Sequence, residues 1–121
     1  MALVAGTDLV EVKRIAAAID RHGERFLLRV FTSGELAACS GRPDSLAARW
    51  AAKEAATKAL GTGIGDVAFR EIEIMQDERG CPALRLHGAA ADLAAMRGLT
   101  QWAVSLAHDG GFALAFVVGL G

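Results

Sequence analysis

The 121-residue chain has no tyrosine and no asparagine, and only 6% of it is aromatic. Large core-filling side chains are scarce, so its helices must pack closely through small residues or its subunits must share a core. Long apolar runs are lacking too. The longest uncharged stretch covers residues 110–121, short of the roughly 18 residues a membrane helix needs, so no membrane span is expected. No basic segment precedes an apolar run at the N-terminus, and Asp8 interrupts the first one, so no signal peptide is visible and a cytoplasmic location is expected. Cys39 and Cys81 match no metal-ligand spacing; both are expected to be buried small hydrophobes without a disulfide. Charge of one sign is lacking as well. The net charge of −1 excludes the overall basic footprint of a nucleic-acid binder. Lysine occurs three times against ten arginines, yet Lys53 and Lys58 share one short segment.

What is present points to a globular domain. Hydrophobic residues make up 53% and charged ones 22%, with a mean hydropathy of +0.33, which excludes intrinsic disorder. The length suits one domain spanning residues 1–121. Alanine occurs 25 times. Five cations, Lys13, Arg14, Arg21, Arg25 and Arg29, crowd residues 13–29 and form either a patch for an acidic partner or a solvated helix face.

Residues 2–10 read as a buried strand interrupted by Gly6 and Asp8, followed by a helix from Glu11 to about Arg21 that Gly23 ends, and then a short helical piece to Val30. Thr32 or Ser33 caps a short helix over 35–40. The main helix is expected from Asp44, as N-cap, to Leu60, with Gly61 just beyond it. One arc of this helix holds only Ala48, Ala51, Ala52, Ala55, Ala56 and Ala59, a face that allows very close approach. The other arc holds Leu46, Trp50 and Thr57, flanked by Arg49 and Lys53 on one side and by Glu54 and Lys58 on the other. Strands are expected at 67–75, 82–86, 100–107 and 112–119, with an Ala-rich helix at 88–98. A hairpin through Asp109-Gly110 joins the last two strands. The class is α+β: a mostly antiparallel sheet packed on one long helix and shorter helices.

A carboxylate in a buried strand must be paired, hydrogen-bonded or on a metal, which singles out Asp8. Glu54 and Lys58 lie one helical turn apart, as a simple ion pair or as part of a charged stripe with chemistry. Two carboxylates from separate elements, with no histidine or cysteine at ligand spacing, suit a hard cation such as Mg²⁺, which binds through one or two carboxylates and substrate phosphates. The Gly61-Thr62-Gly63-Ile64-Gly65 turn could let backbone approach a phosphate, but it matches no standard phosphate loop.

Gly6-Thr7-Asp8-Leu9-Val10-Glu11-Val12 with Arg14-Ile15, then Phe31-Thr32 with Glu35, then Trp50-Ala51-Ala52-Lys53-Glu54-Ala55 with Lys58-Ala59-Leu60-Gly61-Thr62-Gly63, resemble the ordered motifs of holo-[acyl-carrier-protein] synthases. Gly80 with Pro82, Ser105 with His108, and the closing apolar strand follow in the same order. The resemblance implies a 4′-phosphopantetheinyl transferase fold. It implies transfer of 4′-phosphopantetheine from coenzyme A to a serine hydroxyl of apo acyl carrier protein in fatty-acid biosynthesis, releasing adenosine 3′,5′-bisphosphate. Asp8 and Glu54 would then hold Mg²⁺, with Glu54 and Lys58 catalytic; the serine proton would pass to Glu54 or to a metal-bound water. Arg49, Lys53, Thr57 and Lys58 would contact coenzyme A, joined by Gly61, Thr62 and Gly63 at the turn and by Pro82 and His108. Arg14, Arg21 and, if the helix continues past Gly23, Arg25 fall within about 40° on a helical wheel and would dock the acidic carrier. Relatives are homotrimers with sites between subunits. The strand 112–118, apolar at every position, fits this because both of its faces need cover. Two other readings stand beside this one: the same chemistry on a polyketide or peptide synthetase carrier, and a non-catalytic module that binds a carrier or coenzyme A. The short chain speaks against the former, and the presence of Asp8, Glu54 and Lys58 against the latter.

Overall fold

In the computed structural model, which describes every residue from Met1 to Gly121, the chain runs β1 (Leu3–Glu11), α1 (Val12–His22), α2 (Glu24–Val30), α3 (Ser33–Cys39), α4 (Pro43–Leu60), β2 (Ile72–Gln76), β3 (Pro82–Leu86), α5 (Gly88–Met96), β4 (Gln101–Asp109) and β5 (Phe112–Leu120). The strands form two antiparallel sheets: a three-stranded one in the order β1-β5-β4 and a β2-β3 ribbon. The class is α+β, as the patterning predicts. The β4–β5 hairpin turns on Gly110 and Gly111, with φ of 57° and 84°. Positive φ at both central positions is the geometry whose twist matches paired strands.

Helix α4 is the centre of the molecule. All six alanines of its small-residue arc are buried, and its main partners are β1 and β5. Gly6 makes the closest approach possible: a Cβ there would lie 1.9 Å from the Ala55 carbonyl oxygen. Neither Gly6 nor Asp8 interrupts β1. The strand runs continuously in register with β5, with Asp8 opposite Ala115. Gly61 ends α4 in the left-handed conformation, φ 75°, as expected of a residue past a helix C-terminus.

Two boundaries and the burial of one cysteine differ from the sequence reading. Pro43 occupies the first turn of α4 and Arg42 the N-cap position, so Asp44 lies inside the helix, where its Oδ1 accepts the Ser45 N–H at 2.8 Å; the fixed φ of proline is preorganised for that place. Gly23 (φ 56°, ψ −134°) ends α1 as expected and separates it from α2, so the condition for Arg25 to share a helix with Arg14 and Arg21 is not met. The strand expected from residue 67 begins at Ile72, after a 3₁₀ turn over Phe69–Glu71. Cys39 is buried, and burial pushes its thiol up, but Cys81 is exposed in the turn between β2 and β3.

Candidate functional site

Strand alternation and helical periodicity meet where β1 crosses α4. Val4, Gly6, Asp8 and Val10 share one face of β1, which lies on the alanine arc. Close contact at Gly6 brings Asp8, two residues on, beside the charged edge of α4. The Lys58 Nζ donates to the Thr7 carbonyl at 2.9 Å and to Asp8 Oδ1 at 3.2 Å. The Lys58 side chain is 54% exposed, so the pair contributes little stability and leaves the ammonium available. Burial holds the Glu54 carboxyl above its ordinary range, and the negative charge of Asp8 adds to this, while Lys58 opposes it. Two carboxylates 46 residues apart in sequence, Asp8 and Glu54, thus share one locus with the Lys58 ammonium.

The donor set is of hard oxygens. No group of three or more His, Cys, Asp and Glu side chains is assembled to hold a metal. Two carboxylates without further protein ligands fit a Mg²⁺ that keeps waters and takes substrate oxygens. The mutual repulsion of Asp8 and Glu54 is what such a cation relieves.

The neighbouring side chains of α4 do otherwise than the helical wheel predicts. Lys53, expected at coenzyme A, is fully buried. Its Nζ donates to Glu35 Oε1 at 2.7 Å and to the carbonyls of Phe69 and Ile72. An ammonium has three protons, and all three are taken, so none is left for a phosphate. Burial draws the Lys53 ammonium below its ordinary range, and Glu35 counters this. Thr57 is buried as well, its hydroxyl donating back to the Glu54 carbonyl at 2.7 Å. Arg49 is only 3% exposed; its Nε has no hydrogen-bond partner, and an Nη reaches only the Ser45 carbonyl at 3.5 Å. The face that carries Arg49, Lys53 and Thr57 therefore turns inward, Lys53 meeting α3 and the start of β2. Glu35 received no site role from the sequence, although it closes the Phe31-Thr32 motif; the structure makes it the third residue of a capping box with Thr32.

Pro82 and His108 come together elsewhere. With Ser45, Ala48, Gly80 and Ser105 they line a cleft of about 310 Å³ at the N-terminal end of α4. Ser45 and Glu54 are nine residues apart on that helix, which is roughly 13 Å. At the other end, the Thr62 hydroxyl donates to Asp66 at 2.8 Å, Gly63 is exposed, and the Arg97 guanidinium lies over Gly61. Arg14, Arg21 and Arg25 are all exposed. Arg25 lines a hollow of about 420 Å³ with His22, Phe26 and Arg29, so the end of α1 adds a histidine and α2 an arginine that the sequence reading left out of the docking set. His87, matched to no role, pairs with Glu73 at 2.9 Å.

A family model described as ACPS, 4′-phosphopantetheinyl transferase superfamily, matches residues 5–117. The chain is 52% identical over 126 residues to a holo-[acyl-carrier-protein] synthase of Herpetosiphon aurantiacus, covering 98% of this chain and 99% of the other. The crystal structure of Helicobacter pylori holo-[acyl-carrier-protein] synthase in complex with coenzyme A superposes with a TM-score of 0.89 at 32% identity, over 96% of this chain and 99% of that one. The ACPS–CoA complex of Chronobacterium ammoniagenes gives 0.87 at 35% identity, over 98% and 97%.

Proposed function

The chain belongs to the 4′-phosphopantetheinyl transferase superfamily as a holo-[acyl-carrier-protein] synthase, and on that premise we propose how its residues carry out the transfer. The enzyme moves 4′-phosphopantetheine from coenzyme A to a serine hydroxyl of apo acyl carrier protein, serving fatty-acid biosynthesis. The serine oxygen bonds to the phosphorus that bears pantetheine, the pyrophosphate bridge breaks, and adenosine 3′,5′-bisphosphate leaves. The observation that carries this reading is the meeting of Asp8, Glu54 and Lys58 where β1 crosses α4.

Phosphoryl transfer asks for charge neutralisation and positioning more than for covalent chemistry. Asp8 and Glu54 would hold a Mg²⁺ ion. Bound there, the ion supplies positive charge to the pyrophosphate. Lys58, half-exposed and tethered by the Thr7 carbonyl, adds a second positive charge from the protein itself. Acceptance of the serine proton would fall to Glu54, the half-buried carboxylate of this locus. At the turn after α4 the Gly61 and Thr62 N–H groups close the helix on the Lys58 and Thr57 carbonyls, which leaves the Gly63 N–H and the Thr62 side chain to meet the coenzyme. Pro82 and His108 line the cleft suited to its nucleotide end; Arg49, one turn along α4 from Ser45 of that cleft, has an unpaired Nε but would have to turn outward from its buried place to meet a phosphate.

The carrier would dock on α1 and α2, where Arg14, Arg21 and Arg25 are exposed. Three copies would close around the outer face of the three-stranded sheet, where Leu9, Phe112, Leu114 and Phe116 stand exposed. The roughly 13 Å along α4 between the His108 cleft and Glu54 supports a site to which two subunits contribute. The whole of residues 1–121 then acts as one transferase domain, in the cytoplasm, where both substrates occur. Incubation with coenzyme A, Mg²⁺ and apo carrier should add the mass of phosphopantetheine to the carrier; an unmodified carrier would refute the reading. In the same assay Arg14→Glu with Arg21→Glu should raise the KM for the carrier and leave that for coenzyme A in place. An unchanged carrier KM at low salt would rule out that docking face.

A further inference from the structure

Helix α4 meets β1 and β5 through alanines, and alanines interlock poorly. A stripe of methyl groups resists neither rotation about the helix axis nor sliding along it as deep side-chain ridges do. Yet Glu54 must face Asp8, and a one-residue slip moves it by about 1.5 Å and about 100°. Misplacement of the order of 1 Å can cost about a hundredfold in rate. Something directional has to set the helix.

The only fully buried ion pair in the protein does so. Lys53 directly precedes Glu54, and its three protons go to three different places: Glu35 Oε1 on α3 at 2.7 Å, the Phe69 carbonyl in the 3₁₀ turn at 3.0 Å, and the Ile72 carbonyl at the start of β2. Glu35 is saturated in turn. Its Oε1 also accepts the Thr32 N–H at 2.9 Å, and its Oε2 accepts the Ile74 N–H at 2.8 Å. Both side chains are 0% exposed. A buried ion pair is weak evidence of stabilisation, since an apolar pair of similar volume often does as well. What hydrogen bonds provide and apolar contact does not is direction.

We propose that Glu35 and Lys53 are positioning residues for the transfer, fixing the rotation and register of α4 so that Glu54 and Lys58 face Asp8. The proposal rests on the reading of the chain as a transferase. It assigns Lys53 to the placement of its neighbour and removes it from coenzyme contact.

The test compares the parent with Glu35→Gln/Lys53→Met, which replaces the pair by uncharged groups of similar size, using coenzyme A and apo acyl carrier protein. The double variant should melt cooperatively within about 5 °C of the parent. Its kcat per folded molecule should fall at least about tenfold while the KM for coenzyme A stays within about threefold. A crystal structure should show α4 turned against β1, with the Lys58–Asp8 separation lengthened from 3.2 Å. An unchanged kcat per folded molecule overturns the proposal, whatever the melting temperature. So does a raised KM with kcat intact, which would make Lys53 a coenzyme ligand. Should the double variant fail to fold, Glu35→Gln alone, which keeps size and an acceptor oxygen, decides by the same split. A parent that transfers nothing refutes the transferase reading and not this placement.

Discussion

Glu54 is held beside a like charge, half out of water, and both circumstances disfavour its ionised form. A carboxyl raised above its ordinary 4.5 by burial first and by Asp8 second contributes stability below that value and loses it as pH climbs through the raised one. Ionised Glu54 is therefore a cost to the fold at neutral pH. Glu54→Gln should reduce kcat/KM at least about a hundredfold, the scale of losing a group that stabilises transition-state charge. Without Mg²⁺ the same variant should melt above the parent at pH 7 to 8. That advantage should shrink as the pH falls toward 4.5. Melting curves across pH decide the matter: a parent that gains on the variant as pH rises would show that Asp8 and Glu54 do not repel.

The elements explain which parts of this arrangement were legible beforehand. Alanine at every third or fourth place of α4 marked the buried arc, and β1 carried a carboxylate no buried strand tolerates unpaired, so Asp8 and Glu54 could be singled out. Lys53 could not be placed. On a helical wheel it borders a charged stripe, and nothing in its own neighbourhood tells of Glu35 arriving from α3, 18 residues back in sequence. The hydroxyl of Thr57 could not be placed for a related reason, since in a helix it can turn back to a carbonyl of the preceding turn, as it does here to that of Glu54. Gly6 read as an interruption, whereas the structure makes it the condition for contact. Gly6→Ala tests this at the level of the β1–α4 packing. The added Cβ would stand 1.9 Å from the Ala55 oxygen and 2.8 Å from the Ala59 nitrogen, backbone atoms that cannot swing aside. Overpacking of this kind costs about 1–3 kcal/mol. A lower melting temperature should accompany a loss of transfer activity in the fraction still folded, because β1 must move off α4 and take Asp8 with it. Full activity in the folded fraction would mean that the Asp8–Glu54 distance is not set by this contact.

For the molecule as a whole, the difficulty is a sheet with one face too many. The inner face of β5 (Ala113, Ala115, Val117) lies buried on α4, while on the outer face Phe112, Leu114 and Phe116 are 43%, 42% and 48% exposed. The register brings Leu9 of β1 opposite Leu114 and Thr7 opposite Phe116, so the patch is continuous across strands. Contiguous apolar surface of this kind marks an interface. With so few aromatics the chain has nothing of its own to lay over it, and copies of the same face related by symmetry would supply the cover. Phe116→Asp should leave the α4 side untouched, since residue 116 points away from it, and should break the assembly. Light scattering should report 12.6 kDa for the variant against about three times that for the parent. Transfer should fall with assembly if the cleft lined by Pro82 and His108 completes a neighbour's Asp8–Glu54 site. A monomeric variant with parental activity at nanomolar concentration would leave the apolar face to some other partner and confine the site to one chain.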